Sequence, residues 1–231
     1  MPTWAVAAAD PLNIIPQFTP TATSSHPVMH DRISAFAQPS LLSYMLNLDG
    51  RTQGRAMGVR ILCTDCHNSD DNREFGGTGP NGPHGSQYPH VLERRYEFSQ
   101  VAAASGPGTT IINLFPNPIL DPAGKGPYSL CAKCHDLSLV VANTSFSEHA
   151  RHINDGFSCS TCHTSHGMGA SAATISGERM VNFDINVVAP NGTNPISYSK
   201  ATNSCSLTCH GHAHTVVGAA ATAQRTQRSL K

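Results

Sequence analysis

The sequence predicts a mostly irregular, loop-rich fold with short α-helices and a minor β-hairpin, and three observations lead there. Trp, Tyr and Phe number only 1, 5 and 8 in 231 residues, so apolar side chains alone make a modest core. Gly 19 and Pro 16 punctuate the chain, which favours turns over long elements. Histidine, at 13 residues, is far commoner than in an ordinary chain. Charged residues are 13% of the total, with 15 basic and 15 acidic side chains. That balance gives no reason to expect a nucleic-acid or anionic-membrane partner. No apolar run approaches the roughly 18 residues of a membrane span.

Taken in order, residues 1–40 read as an extended N-terminal arm, residues 41–215 as the main domain and residues 216–231 as a C-terminal tail, helical or frayed. MPTWAVAAAD lacks the basic and apolar regions of a secretory leader, although AVA and AAA resemble the end of one. Ser40 is a candidate cap for a helix over LLSYMLNLDG, stopped by Gly50. NSDDNREFGGTGPNGPHGSQYPH is turn-rich, and its Asp70, Asp71, Asn72 and Glu74 read either as a solvated loop or as a calcium site. VLERRYEFSQVAAA suggests a helix, TIINLF a strand, and TSFSEHARHINDG a helix stopped at Gly156, with His149 and His152 on one face. VNFDINVV alternates and is followed by the turn APNGTNP and then ISYS, the pattern of a β-hairpin. Asn143 and Asn191 match the glycosylation pattern, which occurs often by chance.

All eight cysteines lie in four short stretches: CTDCH (Cys63, Cys66, His67), CAKCH (Cys131, Cys134, His135), CSTCH (Cys159, Cys162, His163) and CSLTCH (Cys205, Cys209, His210). A disulfide framework has no need of a histidine after every second cysteine. Zinc knuckles place their histidines at other spacings, and a thioredoxin-like CxxC does not come in fours. Covalent haem c explains every position. Two thiols add to the vinyl groups of one porphyrin, and the adjacent histidine reaches the iron as the proximal ligand. The fourth stretch carries one extra residue between its thiols, yet retains Cys209-His210. Four buried porphyrins would also supply the apolar area that the side chains lack, at about 25 cal/mol per Å².

With His67, His135, His163 and His210 as proximal ligands, nine histidines remain. Six-coordinate irons with two imidazoles need four of them. His26 stands beside Pro27 in a structureless arm, and His84 is flanked by glycines that admit a flat ring. His152 precedes the third stretch. His166 follows His163 too closely to bind the same iron from the opposite side, so a neighbouring haem is its natural partner. These four are the preferred distal ligands, with His214, His149 and His30 as alternates. Methionine, Met168 above all, is the rival ligand and would raise the potential.

SSHPV (24–28), GPHGS (82–86), SEHARHI, CHTSHG and NFDINVVAP running on to CSLTCHGHAH resemble the multihaem c-type cytochromes of metal-reducing bacteria. The number and order of sites, with the longer spacing last, are similar to tetrahaem extracellular cytochromes that polymerise into filaments in bacteria and archaea. The resemblance spans roughly residues 24–215. It implies bis-histidine haems stacked in a continuous chain, and a subunit contact in which one chain gives a distal histidine to its neighbour. His26, His30 and His214 are the candidates for that donation.

The function expected is long-range electron transfer without substrate chemistry, since the cofactor carries the redox work. The chain is expected not to be an enzyme. Its partners would be copies of itself, other redox proteins and extracellular electron acceptors. The alternatives are a soluble periplasmic tetrahaem shuttle and a multihaem reductase with one open iron, although no CxxCK is present. Haem c attachment takes place outside the cytoplasm, so export is expected, to the cell surface, the medium or the periplasm.

Overall fold

The computed structural model describes residues 1–29, 37–42, 45, 51–52, 55–56, 60–98, 126–142, 146–209 and 211–215. The expected strand TIINLF, the C-terminal tail, most of the helix after Ser40, Asn143, His30 and His210 lie outside the described residues. The described elements are short. The described helices are α1 (Ser129–Ala132), α2 (Leu137–Val141) and α3 (His149–Asn154), and single 3-10 turns lie before α1 and after α3. The strands are β1 (Ser24–Ser25), β2 (Arg51–Thr52), β3 (Arg55–Ala56), β4 (Gly167–Met168), β5 (Val188–Ala189), β6 (Ser197–Ser199), β7 (Ser204–Cys209) and β8 (His212–His214). No described helix is long and apolar enough to cross a membrane.

The chain divides into two compact units, one made of Met1–Ser25 with Ser160–Lys231 and the other of His26–Cys159. The boundary falls inside the third cysteine stretch.

In the first unit the N-terminal arm is built into the structure. Ala5 donates its N–H to Phe183 (2.8 Å) and Ile185 donates to Thr3 (2.8 Å). The buried amide of Asn182 accepts from Val6 N–H (2.9 Å) and donates to Val6 C=O (2.8 Å). Asp184 accepts from Thr3 N–H at 2.9 Å. Further along, β1 pairs antiparallel with β4, matching Ser24 to Met168 and Ser25 to Gly167. Phe18, Met168, Ile175, Val181, Phe183, Val188 and Leu207 are buried here.

The expected hairpin between VNFDINVV and ISYS is replaced by a different sheet. The turn forms, with Asn191 and Asn194 exchanging backbone hydrogen bonds. Yet β5 and β6 do not pair with each other. Each pairs antiparallel with β7, in the order β5-β7-β6, and β8 pairs with β7 as well. The expected alternation fails for a related reason. Val181, Asn182, Phe183 and Asp184 are all buried, because the polar members of the run are the partners of the N-terminal arm.

The second unit packs Leu92, Tyr96, Tyr128, Val141 and Ile153 into one cluster, with Cys131 and Cys159 against it. Helix α3 begins at His149 and stops at Gly156, whose φ of +91° suits glycine. The described part of the expected helix VLERRYEFSQVAAA, residues 91–98, forms no α-helix: Val91 ends a 3-10 turn and residues 92–98 are not helical. Leu92 bridges both His67 and Tyr88, and Glu97 donates its N–H to Pro127 at 2.7 Å. Tertiary pairing therefore overrides the helix propensity of Leu, Glu and Arg. Ser40 ends a 3-10 helix, Gln38–Ser40, rather than capping the start of one.

A Cβ on Gly167 would lie 2.4 Å from Gln17 O, 2.6 Å from Ser25 Cβ and 2.7 Å from Ser24 O. Gly167→Ala is therefore expected to cost about 1–3 kcal/mol. It should lower the urea midpoint and expose residues 1–25 to earlier proteolysis. An unchanged cleavage pattern would show that the arm is not held at β4.

Candidate functional site

The first two cysteine stretches are single helical turns. His67 N–H donates to Cys63 C=O at 2.8 Å and His135 N–H to Cys131 C=O at 2.9 Å. The third opens as a 3-10 turn, Cys159–Thr161. In a turn of this kind residues three apart face the same way, so the two thiols of each stretch share a side. None of the eight cysteines is paired in a disulfide.

The same backbone device holds the histidine of each of these three stretches. A 3-10 helix precedes a residue that bridges the histidine, and the N–H after that residue donates to the carbonyl of the second cysteine. For the first stretch the helix is Pro89–Val91, the bridge is Leu92 to His67, and Glu93 N–H donates to Cys66 at 2.9 Å. For the second it is Gln38–Ser40, Leu41 to His135, and Leu42 N–H to Cys134 at 2.9 Å. For the third it is Glu178–Met180, Val181 to His163, and Asn182 N–H to Cys162 at 2.9 Å. The sequences PHVLE, QPSLL and ERMVN share no residue pattern that announces this repeat.

The device also selects the tautomer of each imidazole. His67 Nδ1–H donates to His90 C=O at 2.8 Å and His163 Nδ1–H to Arg179 C=O at 3.0 Å. A carbonyl only accepts, so the proton is on Nδ1 and the lone pair on Nε2. His135 Nδ1 lies 3.2 Å from Ser40 Oγ. Ser40 gives its own proton to Ala37 C=O at 2.8 Å, so here too Nδ1 donates. Metal-bound histidines are oriented in this manner, with the second ring nitrogen tied to a carbonyl or another acceptor. His152 shows the same pattern, its Nδ1 donating to Glu148 C=O at 2.8 Å.

Two of these carbonyls come from strained backbone. His90 and Val91 have φ of +64° and +54°, and Arg179 and Met180 have +59° and +56°. Consecutive left-handed residues that are not glycine cost free energy, and the turn they make aims the carbonyl at the ring.

Among the expected distal histidines, His26 faces His135 with ring centroids 6.4 Å apart and planes at 58°. Two imidazoles sharing one axial metal through Nε2, each at roughly 2 Å, would have centroids about 6.3 Å apart. The spacing of this pair therefore fits an iron between them. His84 is exposed in its loop, and its ring is where a Cβ on Gly82 would go (3.3 Å). His149 and His152 sit on α3 around Phe146, at 5.1 and 6.4 Å. His166 packs on Phe18 at 5.0 Å, and His214 ends β8, half-buried. Met168 is buried at 3% exposure under Gly177. Among the described residues no three His, Cys, Asp or Glu side chains converge as a metal-ion site of their own.

The thiols lie in low-dielectric surroundings. Burial pushes Cys66 up to about 12 and Cys134 up to about 11. A hydrogen bond with the Cys159 thiol, together with burial, raises Cys131 well above its usual value. Such sulphurs disfavour the thiolate, whereas a thioether carries no charge to desolvate and suits the same pockets.

The fourth stretch differs in conformation as well as spacing. Cys205 and Cys209 lie on strand β7. A strand alternates faces, so a separation of four keeps both sulphurs on one side, as a separation of three does on a helical turn. Their Cα atoms are then about 13 Å apart by strand rise, a spacing that does not fit two thioethers to one porphyrin, so this pair meets the requirement in sequence but not in its strand conformation.

The acidic loop uses its carboxylates internally. Asp71 accepts from Thr78 N–H (3.0 Å) and Thr78 hydroxyl (2.9 Å), and these donors hold its carboxyl below the ordinary value. Asp70 accepts from Gln87 Nε2 at 2.8 Å. Asn191 Nδ2 donates to His214 C=O at 2.9 Å.

Val91 is β-branched in a left-handed conformation, where asparagine is tolerated. Val91→Asn should raise the urea midpoint by the equivalent of about 1 kcal/mol. An unchanged or lower midpoint would show that the left-handed pair at His90-Val91 stores no strain.

No protein-family model, no curated protein and no solved structure matches the chain.

Proposed function

We propose that this chain is a long-range electron carrier holding four covalent c-type haems. The observation that carries the reading is the shared orientation of His67, His135 and His163. Each has Nδ1 committed as a donor, which places the Nε2 lone pair at the end of a cysteine turn. Cys63 with Cys66, Cys131 with Cys134, Cys159 with Cys162 and Cys205 with Cys209 are the attachment pairs. His67, His135, His163 and His210 are the proximal ligands. His26, whose ring centroid lies 6.4 Å from that of His135, would supply a second imidazole to the same iron. His84, His152 and His166 are the preferred distal ligands for the rest, with His214, His149 and His30 as alternates.

When bound, each haem takes up and gives back one electron at its iron. The protein's own residues orient the imidazoles and bury the sulphurs, and a second histidine held near each iron would keep small molecules off it. No residue in this scheme moves a proton or binds a substrate, so the protein acts as a carrier and not as an enzyme. Copies of the chain assemble end to end as an extracellular filament, joined by a histidine given from one subunit to a haem of the next, and pass electrons to external acceptors. This assembly rests on the sequence resemblance alone.

A pyridine haemochrome assay with intact mass on the protein from its host is expected to give four covalent haems per chain. A count of three would assign the shortfall to the strand-borne Cys205/Cys209 pair, and a count of zero would overturn the reading. His26→Ala should keep the haem count and open one iron in four to carbon monoxide, seen as a partial shift of the Soret band. Retention of a fully low-spin, unreactive spectrum would remove His26 as a ligand.

Electron microscopy of the native material is expected to show filaments with a histidine crossing between subunits. Dispersed particles with all irons ligated internally would leave a soluble shuttle in place of the polymer.

A further inference from the structure

Glu93 belongs to two contacts at once. Its N–H donates to Cys66 C=O at 2.9 Å, and its carboxylate accepts from Lys133 Nζ at 2.9 Å. Lys133 stands inside CAKCH, and it donates again to the carbonyl of Asp65, inside CTDCH, at 2.7 Å. Arg94 Nε lies 3.3 Å from the other Glu93 oxygen, and Asn68 Nδ2 donates to Oε2 at 3.3 Å. The Lys133, Glu93 and Arg94 side chains are only 5%, 2% and 7% exposed. Asp65 is buried as well, its carboxylate accepting from Leu62 N–H at 2.8 Å.

Two formal positive and two formal negative charges are thus packed out of water against the variable residues of the first two stretches. Desolvating ions costs much of what their attraction returns, and an apolar group of equal volume often does as well. Stability alone is a weak reason for this cluster.

We infer that Lys133, Glu93 and Arg94 are positioning residues that lock the first cysteine stretch to the second and set the midpoint potentials of those two sites. The inference rests on the haem reading above. A positive charge near an iron favours its reduced form and a negative charge its oxidised form. The effect is larger in a low dielectric than in water. Losing one charged member changes the local charge by one unit beside both sites.

The test is a potentiometric titration of the haem-loaded full chain, with covalent haem counted by mass on the same samples. Lys133→Met removes a positive charge and keeps the stem. Glu93→Gln removes a negative charge and keeps both the shape and an acceptor for Lys133, so it reports even where K133M fails to fold. The expected result is an unchanged haem count, two midpoints that fall in K133M, and the same two that rise in E93Q. The remaining midpoints should stay where they are. Midpoints that do not move in E93Q, or that all move together, overturn the inference while the haem count upholds the haem reading. A wild-type chain without covalent haem overturns both.

Discussion

A neutral imidazole has one N–H and one lone pair, and whichever nitrogen is held by an acceptor decides where the other points. That constraint organises what is described of this protein. His67, His135 and His163 each give Nδ1–H to an oxygen presented by a separate segment of chain. The segments come from residues 89–93, 38–42 and 178–182; the oxygen lies 95 residues from His135 in sequence, against 23 for His67 and 16 for His163. Bringing them there requires the loops between, and a left-handed turn at two of the three places. The bridges at Leu92, Leu41 and Val181 follow from the same approach.

Hydrogen bonding does in this chain much of what apolar packing does elsewhere. Asn182 and Asp184 are buried and spend their side chains on the backbone of Thr3 and Val6. Asn68, Ser69 and Asn72 do the same inside their loop, with Ser69 N–H on Asn68 Oδ1 at 2.9 Å and Asn72 Nδ2 on Ser69 C=O at 2.6 Å. A buried amide that satisfies both a donor and an acceptor of one peptide removes two desolvation penalties at once. A chain with so few aromatics can hold irregular backbone in this way, and the proposed porphyrins would add the apolar contact that side chains do not provide.

Parts of this were legible in the sequence for local reasons. The helix over His149–Asn154 has its own stop at Gly156, and the cysteine turns carry their spacing with them. The loop-rich class followed from Gly, Pro and the scarcity of aromatics. Other parts depend on partners that no local pattern names. VLERRYEF has helical propensity, but Leu92 and Glu93 are captured by the Cys66-His67 backbone. The strands VNFDINVV and ISYS look mutually complementary, but β7 takes one on each side of its length. Polar Asn182 and Asp184 break the alternation because the arm that meets them lies some 180 residues earlier. The His26–His135 approach was legible only as a short list of candidates, since ring separation is a property of the folded chain.

The repeated device around His67, His135 and His163 is made almost wholly of main-chain groups, with the hydroxyl of Ser40 as its one side-chain member. Main-chain groups are present whatever the residue, so PHVLE, QPSLL and ERMVN can do equivalent work with different side chains. Their outward surfaces are correspondingly unconstrained by the histidine they serve. A scaffold of this kind can drift in sequence, and take on new surface chemistry at each site, while the geometry at the histidine is inherited intact.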